Sequence, residues 1–271
     1  MSSKRAASKP ILGIFPLLEK QWLNPFYYRL RLSAREIAEQ CHPGQFVNVR
    51  LAGRSEPLLP RPLSIFRRSR EEGWIELLVK SVGRGTRLFA QAHPGELFGV
   101  LGPLGRGFRL DGVTRAVLVG GGIGIVPLVF LAGELRERRI PFHFFQGFRG
   151  REEICCTEEI RALGGEWVLT TDDGSAGYAG TVTDLLEPVL KKQSELQTAR
   201  WFVCGPDAMM RRIARLCRTY RLSAQFSVET RMACGFGACM GCAVPAADGK
   251  NYHLACQDGP VFDWGEIRFE D

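Results

Sequence analysis

No apolar run in the sequence is long and unbroken enough to cross a bilayer. The longest, Ala116 to Ala132, is interrupted by Gly120, Gly121, Gly122, Gly124 and Pro127. A helix there would fail well short of the ~20 residues a span needs, so no membrane span is expected. An export signal is lacking too: Met1 to Pro10 carries Lys4, Arg5 and Lys9, but the apolar patch that follows, Ile11 to Leu18, is short and broken by Gly13 and Pro16. Residues 1–10 are expected to be a frayed basic tail. Nine cysteines without an export signal indicate a reducing, cytoplasmic setting in which thiols stay free or bind metal. Internal repeats and low-complexity linkers are missing as well. The net charge of +7 suits anionic ligands, yet Lys and Arg are scattered rather than interleaved with aromatic platforms, so nucleic-acid binding is not expected.

What is present suffices for a folded protein: 271 residues, 45% hydrophobic and 24% charged, enough for one large or two ordinary domains. The fold class expected is multi-domain α+β. Residues 11–111 read as short strands between turns, with Gln45 to Leu51 alternating, Leu63 to Phe66 brief, and Trp74 to Lys80 rich in β-formers. That spacing predicts a small antiparallel β-barrel. In residues 112–226 strands alternate with helices: Ala116 to Val119, Pro141 to Phe145, Glu166 to Thr170 and Trp201 to Cys204 as strands, and Pro127 to Arg138, Val182 to Leu190 and Ala208 to Tyr220 as helices. Such alternation predicts an α/β domain with a parallel sheet. Residues 227–271, with four cysteines and few long apolar runs, cannot build a separate hydrophobic core and need another organising element.

Cysteine spacing supplies that element. Cys234, Cys239 and Cys242 form C-x4-C-x2-C, and Cys256 follows thirteen intervening residues later. This is ferredoxin-type ligand spacing for a [2Fe–2S] cluster. Gly235, Gly237 and Gly241 let the loop wrap closely with backbone N–H groups aimed at sulfur. Zinc is the competing occupant, although structural zinc sites usually show two short C-x2-C pairs and only Cys239 and Cys242 are so paired here. Cys41, Cys155, Cys156 and Cys217 lack such spacing and read as small core residues.

Two further segments suit phosphate. Arg61-Pro62-Leu63-Ser64 opens a strand with a planar cation able to grip a pyrophosphate, a ring that fixes the turn, and an adjacent hydroxyl. Gly83-Arg84-Gly85-Thr86 ends a strand and leads into a helix expected over Thr86 to Gln91, whose N-terminus behind two glycines is an anion site. Together these motifs resemble the flavin-binding half of the ferredoxin–NADP reductase superfamily. The resemblance implies that Arg61, Pro62, Leu63 and Ser64 lie by FAD, that Gly85 and Thr86 bind its phosphates, and that Leu78, Val79 and Lys80 run along the isoalloxazine or ribityl chain.

A third loop, Val119 to Pro127 with Gly120, Gly121, Gly122 and Gly124, ends a buried strand and opens a helix, which is phosphate-loop geometry. It does not satisfy G-x-G-x-x-G, so a generic dinucleotide fingerprint does not apply. Thr171, Asp172 and Asp173 follow another strand, at the edge where open α/β sheets hold ligands, and read equally well as a polar turn. Cys204-Gly205-Pro206 resembles the second nucleotide motif of the same superfamily, whose cysteine faces the nicotinamide; by that resemblance Cys204 is the single candidate catalytic residue.

The order of these motifs, ending in Glu229-Thr-Arg-Met-Ala-Cys-Gly-Phe-Gly-Ala-Cys-Met-Gly-Cys and Asp258-Gly-Pro-Val-Phe, is similar to that of the electron-transfer subunits of NAD-dependent dihydroorotate dehydrogenase over nearly the whole chain. The resemblance implies FAD, a [2Fe–2S] cluster and NAD⁺ as acceptor. It also implies an FMN-containing catalytic partner and a heterotetramer of two copies of each subunit. Related flavin/iron–sulfur subunits of sulfide dehydrogenase, ferredoxin–NADP oxidoreductase or sulfite reductase type share the architecture. From another class, a zinc-stabilised binding module in which the glycine loops are mere turns stays open.

Overall fold

The computed structural model describes residues 9–269; the expected tail therefore lies, except for Lys9 and Pro10, outside the described residues. The first part contains β1 (Ile11–Trp22), β2 (Tyr27–Ser33), α1 (Arg35–Gln40), β3 (Phe46–Leu51), β4 (Arg61–Ser69), β5 (Trp74–Lys80), α2 (Arg84–Gln91) and β6 (Leu97–Leu104). The six strands close into an antiparallel barrel in the order β1-β2-β5-β4-β3-β6. Closure leaves no sheet edge unpaired, and the interior is filled by Phe15, Leu30, Val47, Ile65, Leu77, Phe89 and Phe98, all buried. β4 is longer than the brief strand expected from Leu63 to Phe66. Its charged end is partnered across the sheet, because Arg67 Nε and Nη2 donate to Glu76 at 2.9 and 2.7 Å, so polarity there hides a strand rather than ending one.

The second part runs β7 (Ala116–Gly121), α3 (Ile125–Glu137), β8 (Phe142–Phe148), α4 (Thr157–Ala162), β9 (Glu166–Thr171), β10 (Tyr178–Ala179), α5 (Val182–Lys192), α6 (Glu195–Thr198), β11 (Arg200–Cys204), α7 (Asp207–Tyr220) and β12 (Ser223–Ser227). Every residue of β7 and β8 is buried, as expected of strands covered on both faces. α7 is amphipathic: Met209, Met210, Ile213, Ala214 and Cys217 face the core while Arg212, Arg215 and Arg218 are exposed. α3 is apolar over most of its circumference because it lies between the sheet and the barrel, packing on both β7 and β4.

The last segment supplies β13 (Ala243–Pro245), β14 (Tyr252–Leu254) and β15 (Val261–Asp263). β13 and β14 form a hairpin, and β15 pairs antiparallel with β12 to complete a seven-stranded sheet in the order β10-β9-β8-β7-β11-β12-β15. Asp263 accepts charge-assisted bonds from Arg109 and Arg200, which fastens this edge. Cys242, Val244, Leu254, Cys256, Phe262 and Ile267 share one core with Val203, Met210, Ile213 and Phe226. The segment thus has no core of its own, and part of its organisation comes from the neighbouring sheet.

Candidate functional site

The chain order β7 to β10 on one side and β11 to β12 on the other makes β7/β11 the switch point of the sheet, where open α/β sheets hold ligands outside the carboxyl ends of their strands. The barrel stands against this point. Between the two a cleft of about 260 Å³ opens, lined by Arg61, Pro62, Leu63, Ser64, Leu78, Val79, Lys80 and Thr86 from the barrel, by Ile123, Val126 and Cys204 from the sheet domain, and by Ser227 to Thr230 and Met232 from the last segment. Eight of the nine residues expected at a flavin therefore share one wall.

The ninth, Gly85, stands directly behind Arg61: a Cβ built on it would lie 2.5 Å from Arg61 Nε. Glycine at this point lets the guanidinium lie across the first turn of α2, and Arg61 Nη1 is steadied by the carbonyl of Leu59 at 2.9 Å. Thr86 caps the same turn, its hydroxyl accepting from the N–H groups of Val82 and Gly83 at 3.1 Å each. From the barrel interior the Tyr28 hydroxyl donates to the Thr86 carbonyl. An anion placed there meets a cation and a helix N-terminus together. Lys80 Nζ reaches Glu153 at 2.8 Å, and the Tyr27 hydroxyl donates to the same carboxylate at 3.3 Å. Burial, followed by Cys155 and Glu153, pushes the Tyr27 phenol far above its usual range, so it keeps its proton and acts as a donor tying the barrel to the sheet domain.

The nucleotide motifs meet at the switch point. Gly120 is in register with Cys204 across β7 and β11. A Cβ on Gly124 would collide with the Cys204 carbonyl, and one on Gly121 would lie 2.9 Å from Pro206 Cδ, so the glycine turn and Cys204-Gly205-Pro206 are packed backbone to backbone. Gly205 is equally tight against Gly121, with 3.0 Å between its Cβ position and the Gly121 nitrogen. Gly122 has φ +53 with open space beyond it. Asp172 is not in the cleft; it is exposed on the same carboxyl edge, after β9. Although exposed, the side chain loses part of its hydration to the surrounding protein, which raises its carboxyl pKa against the opposing pull of Arg149, with Asp173, Asp184 and Glu153 adding to the rise. Asp173 is tied into its own turn by the Ser175 N–H at 2.9 Å, which fits the polar-turn reading of that residue.

Burial pushes the Cys204 thiol strongly up, helped by Glu229 and opposed by Ser227, and the residue lines the cleft. Glu229 received no role from the sequence. It lies in the cleft wall, reached by solvent but hemmed in by protein, and burial together with Asp207 raises its carboxyl pKa. It opens the C-terminal motif, but its place in the cleft depends on β12 ending beside β11. Thr230, also in the wall, has a buried hydroxyl with no protein partner, as a site built to bond a ligand requires. The donors, the apolar wall and this orphan hydroxyl fit a flavin.

The four cluster cysteines gather at the loop between β12 and the hairpin. Cys242 and Cys256 stand 3.1 Å apart, sulfur to sulfur, and the Cys239 side chain hydrogen-bonds that of Cys234 as the other pair. Backbone N–H groups point at the sulfurs: Gly237 at Cys256 from 3.1 Å, Cys239 at Cys234 from 3.4 Å and Cys256 at Cys242 from 3.5 Å. Burial opposes ionisation of Cys234, but N–H groups of Phe236, Cys239 and Ala238 outweigh it and bring its thiol down to about 7. Burial and the neighbouring Cys242 push Cys256 up to about 12. No three of the described metal-ligating side chains stand close enough for a single ion; two thiol pairs suit a centre of two metal atoms taking two thiolates each. Asn48, which the sequence did not single out, holds the loop to the barrel by donating to the Cys234 carbonyl at 2.9 Å.

Comparison with known proteins bears on the same segments. Residues 229–268 match the model of the iron–sulfur cluster binding domain of dihydroorotate dehydrogenase B, and residues 19–108 match the oxidoreductase FAD-binding domain. The chain is 41% identical over 245 residues to the electron transfer subunit of dihydroorotate dehydrogenase B (NAD(+)) of Bacillus caldolyticus, covering 89% of this chain and 92% of that one. The corresponding subunit of Desulforamulus reducens is 38% identical over 249 residues, covering 91% and 94%. Among solved structures, an NADH-dependent reduced ferredoxin-NADP oxidoreductase superposes with TM-score 0.84 at 26% identity over 95% of this chain and 90% of the other.

Proposed function

The chain belongs to the family of electron transfer subunits of NAD(+)-dependent dihydroorotate dehydrogenase B, and on that premise we propose that it accepts electrons from a separate dihydroorotate-oxidising subunit and hands them to NAD⁺. The bound groups supply the redox chemistry: the [2Fe–2S] centre moves single electrons, and FAD joins that one-electron traffic to the two-electron hydride that nicotinamide requires. We assign FAD to residues 11–111, the nucleotide to 112–226 and the cluster to 227–271. The partner carries FMN, and the assembly is a cytoplasmic heterotetramer with two copies of each subunit.

The observation that carries this reading is the convergence of three separate sequence segments on one cleft, with the cysteine loop fastened to the same barrel through Asn48. Arg61 and the first turn of α2 hold the flavin pyrophosphate, and Leu78, Val79 and Lys80 flank the ring. Beside α2, Arg54, Arg84 and Arg87 line an open basin of about 710 Å³ that suits the adenylate end. Gly124 and Gly205 let the glycine turn and Cys204-Gly205-Pro206 pack closely at the switch point, and Gly122 leaves open space where a nicotinamide dinucleotide can approach, with Asp172 on the adjoining edge. Cys204 presents a small buried thiol to the meeting point of the two rings, and Glu229 lines the cleft beside it. Cys234, Cys239, Cys242 and Cys256 hold the irons. The sulfide dehydrogenase, ferredoxin–NADP oxidoreductase and sulfite reductase alternatives share this architecture but are not favoured, because relatives 38% and 41% identical over about nine-tenths of the chain are dihydroorotate dehydrogenase B subunits. The zinc module is disfavoured by the two thiol pairs and by an iron–sulfur domain model matching 229–268.

Anaerobic purification with associated proteins, followed by an absorption spectrum and metal analysis, tests the reading. About two irons and one FAD per chain are expected, together with a copurifying FMN subunit. A colourless preparation, or one holding zinc and no iron, refutes it.

A further inference from the structure

One side of α7 carries charge that the flavin and nicotinamide sites do not use. Arg211, Arg215 and Arg218 are spaced i, i+4 and i+7, so their side chains lie along one side of the helix. With Arg268 and Trp264 from the last segment and Asp248 in the turn between β13 and β14, they line a cleft of about 380 Å³, the size of a small-molecule site. Arg212, on the adjoining side of α7, meets a carboxylate, Asp184, at 2.7 Å. Arg215, Arg218 and Arg268 have no such partner among the described residues. Asp248 is committed to its own turn, accepting from the N–H groups of Lys250 and Asn251 at 2.9 Å each and from Asn251 Nδ2 at 2.6 Å, and a single carboxylate leaves the cleft with an excess of positive charge. Guanidinium groups gathered around a cavity repel one another. An occupant with several anionic oxygens removes that repulsion and accepts their paired N–H donors. Trp264 adds a flat wall: it is half-buried and backed by the buried Phe226, with ring centroids 6.4 Å apart, so the indole is held in place to stack on an aromatic ring.

We propose that this cleft binds a nucleoside di- or triphosphate, with the phosphates on Arg215, Arg218 and Arg268 and the base on Trp264. The site is separate from the flavin and nicotinamide cleft, which shares none of its lining residues. Its two walls nevertheless lead to the redox elements. α7 starts directly after Cys204-Gly205-Pro206, and Arg218 is eleven residues further along the helix, about 16 Å. The opposite wall is the turn of the hairpin whose strands continue from Cys242 and lead to Cys256. That turn is tied to the end of the last segment, since the Ala247 N–H donates to the Glu266 carbonyl and the Arg268 N–H to the Pro245 carbonyl, each at 3.0 Å. A bound nucleotide therefore clasps the helix that follows the nicotinamide motif to the hairpin that carries cluster thiols.

The test titrates ATP, UTP and inorganic triphosphate into the complete FAD- and iron-loaded chain by calorimetry, with NAD⁺ at saturation so that the switch-point cleft is already filled. Both nucleotides are expected to bind, and inorganic triphosphate about tenfold more weakly because it cannot stack. Arg215 and Arg268 are exposed, so Arg215→Glu/Arg268→Glu leaves the fold intact while removing two charge-assisted contacts. Nucleotide affinity should fall about 100-fold in this variant, with FAD content, iron content and NADH oxidation by ferricyanide unchanged. Trp264→Leu should bring the nucleotides down to the affinity of inorganic triphosphate. A double variant that binds within about threefold of wild type overturns the proposal, and so does inorganic triphosphate binding as tightly as the nucleotides. Absence of nucleotide binding by the wild-type chain overturns it as well. If removing Glu270 and Asp271, which follow Phe269 in the cleft lining, then uncovers binding, these two carboxylates are the occupants of the arginines instead.

Discussion

Replacing Gly85 with alanine separates a binding role from a structural one in the flavin site. Gly85 is the second residue of α2, and alanine there should favour the helix by roughly 0.5 to 1 kcal/mol. The added Cβ, however, would stand 2.5 Å from Arg61 Nε and 3.1 Å from its Cζ, so the guanidinium must swing off the helix N-terminus. The cofactor then loses part or all of a charge-assisted phosphate contact worth about 1.5 to 3 kcal/mol. At about 1.4 kcal/mol per decade, full loss weakens FAD binding roughly 10- to 150-fold. Arg61→Ala should reach the whole of that range, and Gly85→Ala a good part of it with an unfolding midpoint of the flavin-free protein that is equal or higher. Flavin fluorescence titration gives the dissociation constants and urea denaturation gives the stability. FAD affinity within twofold of wild type in both variants would refute the placement of the pyrophosphate. A Gly85→Ala protein destabilised without flavin would show that the glycine serves packing instead.

Other expectations follow from the same geometry. Cys239→Ser should lose iron, whereas Cys217→Ser, altering a buried core thiol, should keep the full complement on metal analysis. The raised Glu229 carboxyl stays protonated in the folded chain above its ordinary value of 4.5. Its stability contribution is complete below that pH and lost as pH rises through the folded value. Glu229→Gln should therefore flatten the decline, gaining on wild type in urea midpoints as pH rises above 4.5; parallel curves would count against it. Asp263→Asn weakens two arginine contacts at the sheet edge and should cost about 1 to 2 kcal/mol, allowing for partial exposure. Hydrogen exchange should localise that loss to β15, and uniform exchange would contradict it.

Much of the site was legible because its chemistry demands particular residues at short range. Cys234, Cys239 and Cys242 lie within nine residues, and the loop they need is encoded by the glycines between them. Arg61 to Ser64 and Gly83 to Thr86 are likewise local. Antiparallel pairing of β4 with β5 brings the two segments to one end of the barrel. Helix and strand periods in residues 116–220 were equally readable, since full burial of β7 and the amphipathic pattern of α7 leave strong periodic marks.

The sequence alone therefore determined the kinds of local structure and the groups able to hold phosphate and iron, because hydrogen bonding, helix termini and thiolate ligation act between residues a few positions apart. Tertiary structure decided the rest. Glu229 and Thr230 enter the cleft, Asn48 grips the cysteine loop and β15 joins a sheet begun more than a hundred residues earlier. Each of these depends on strand order and barrel closure, long-range choices set by the packing of whole faces that leave no mark at any single position.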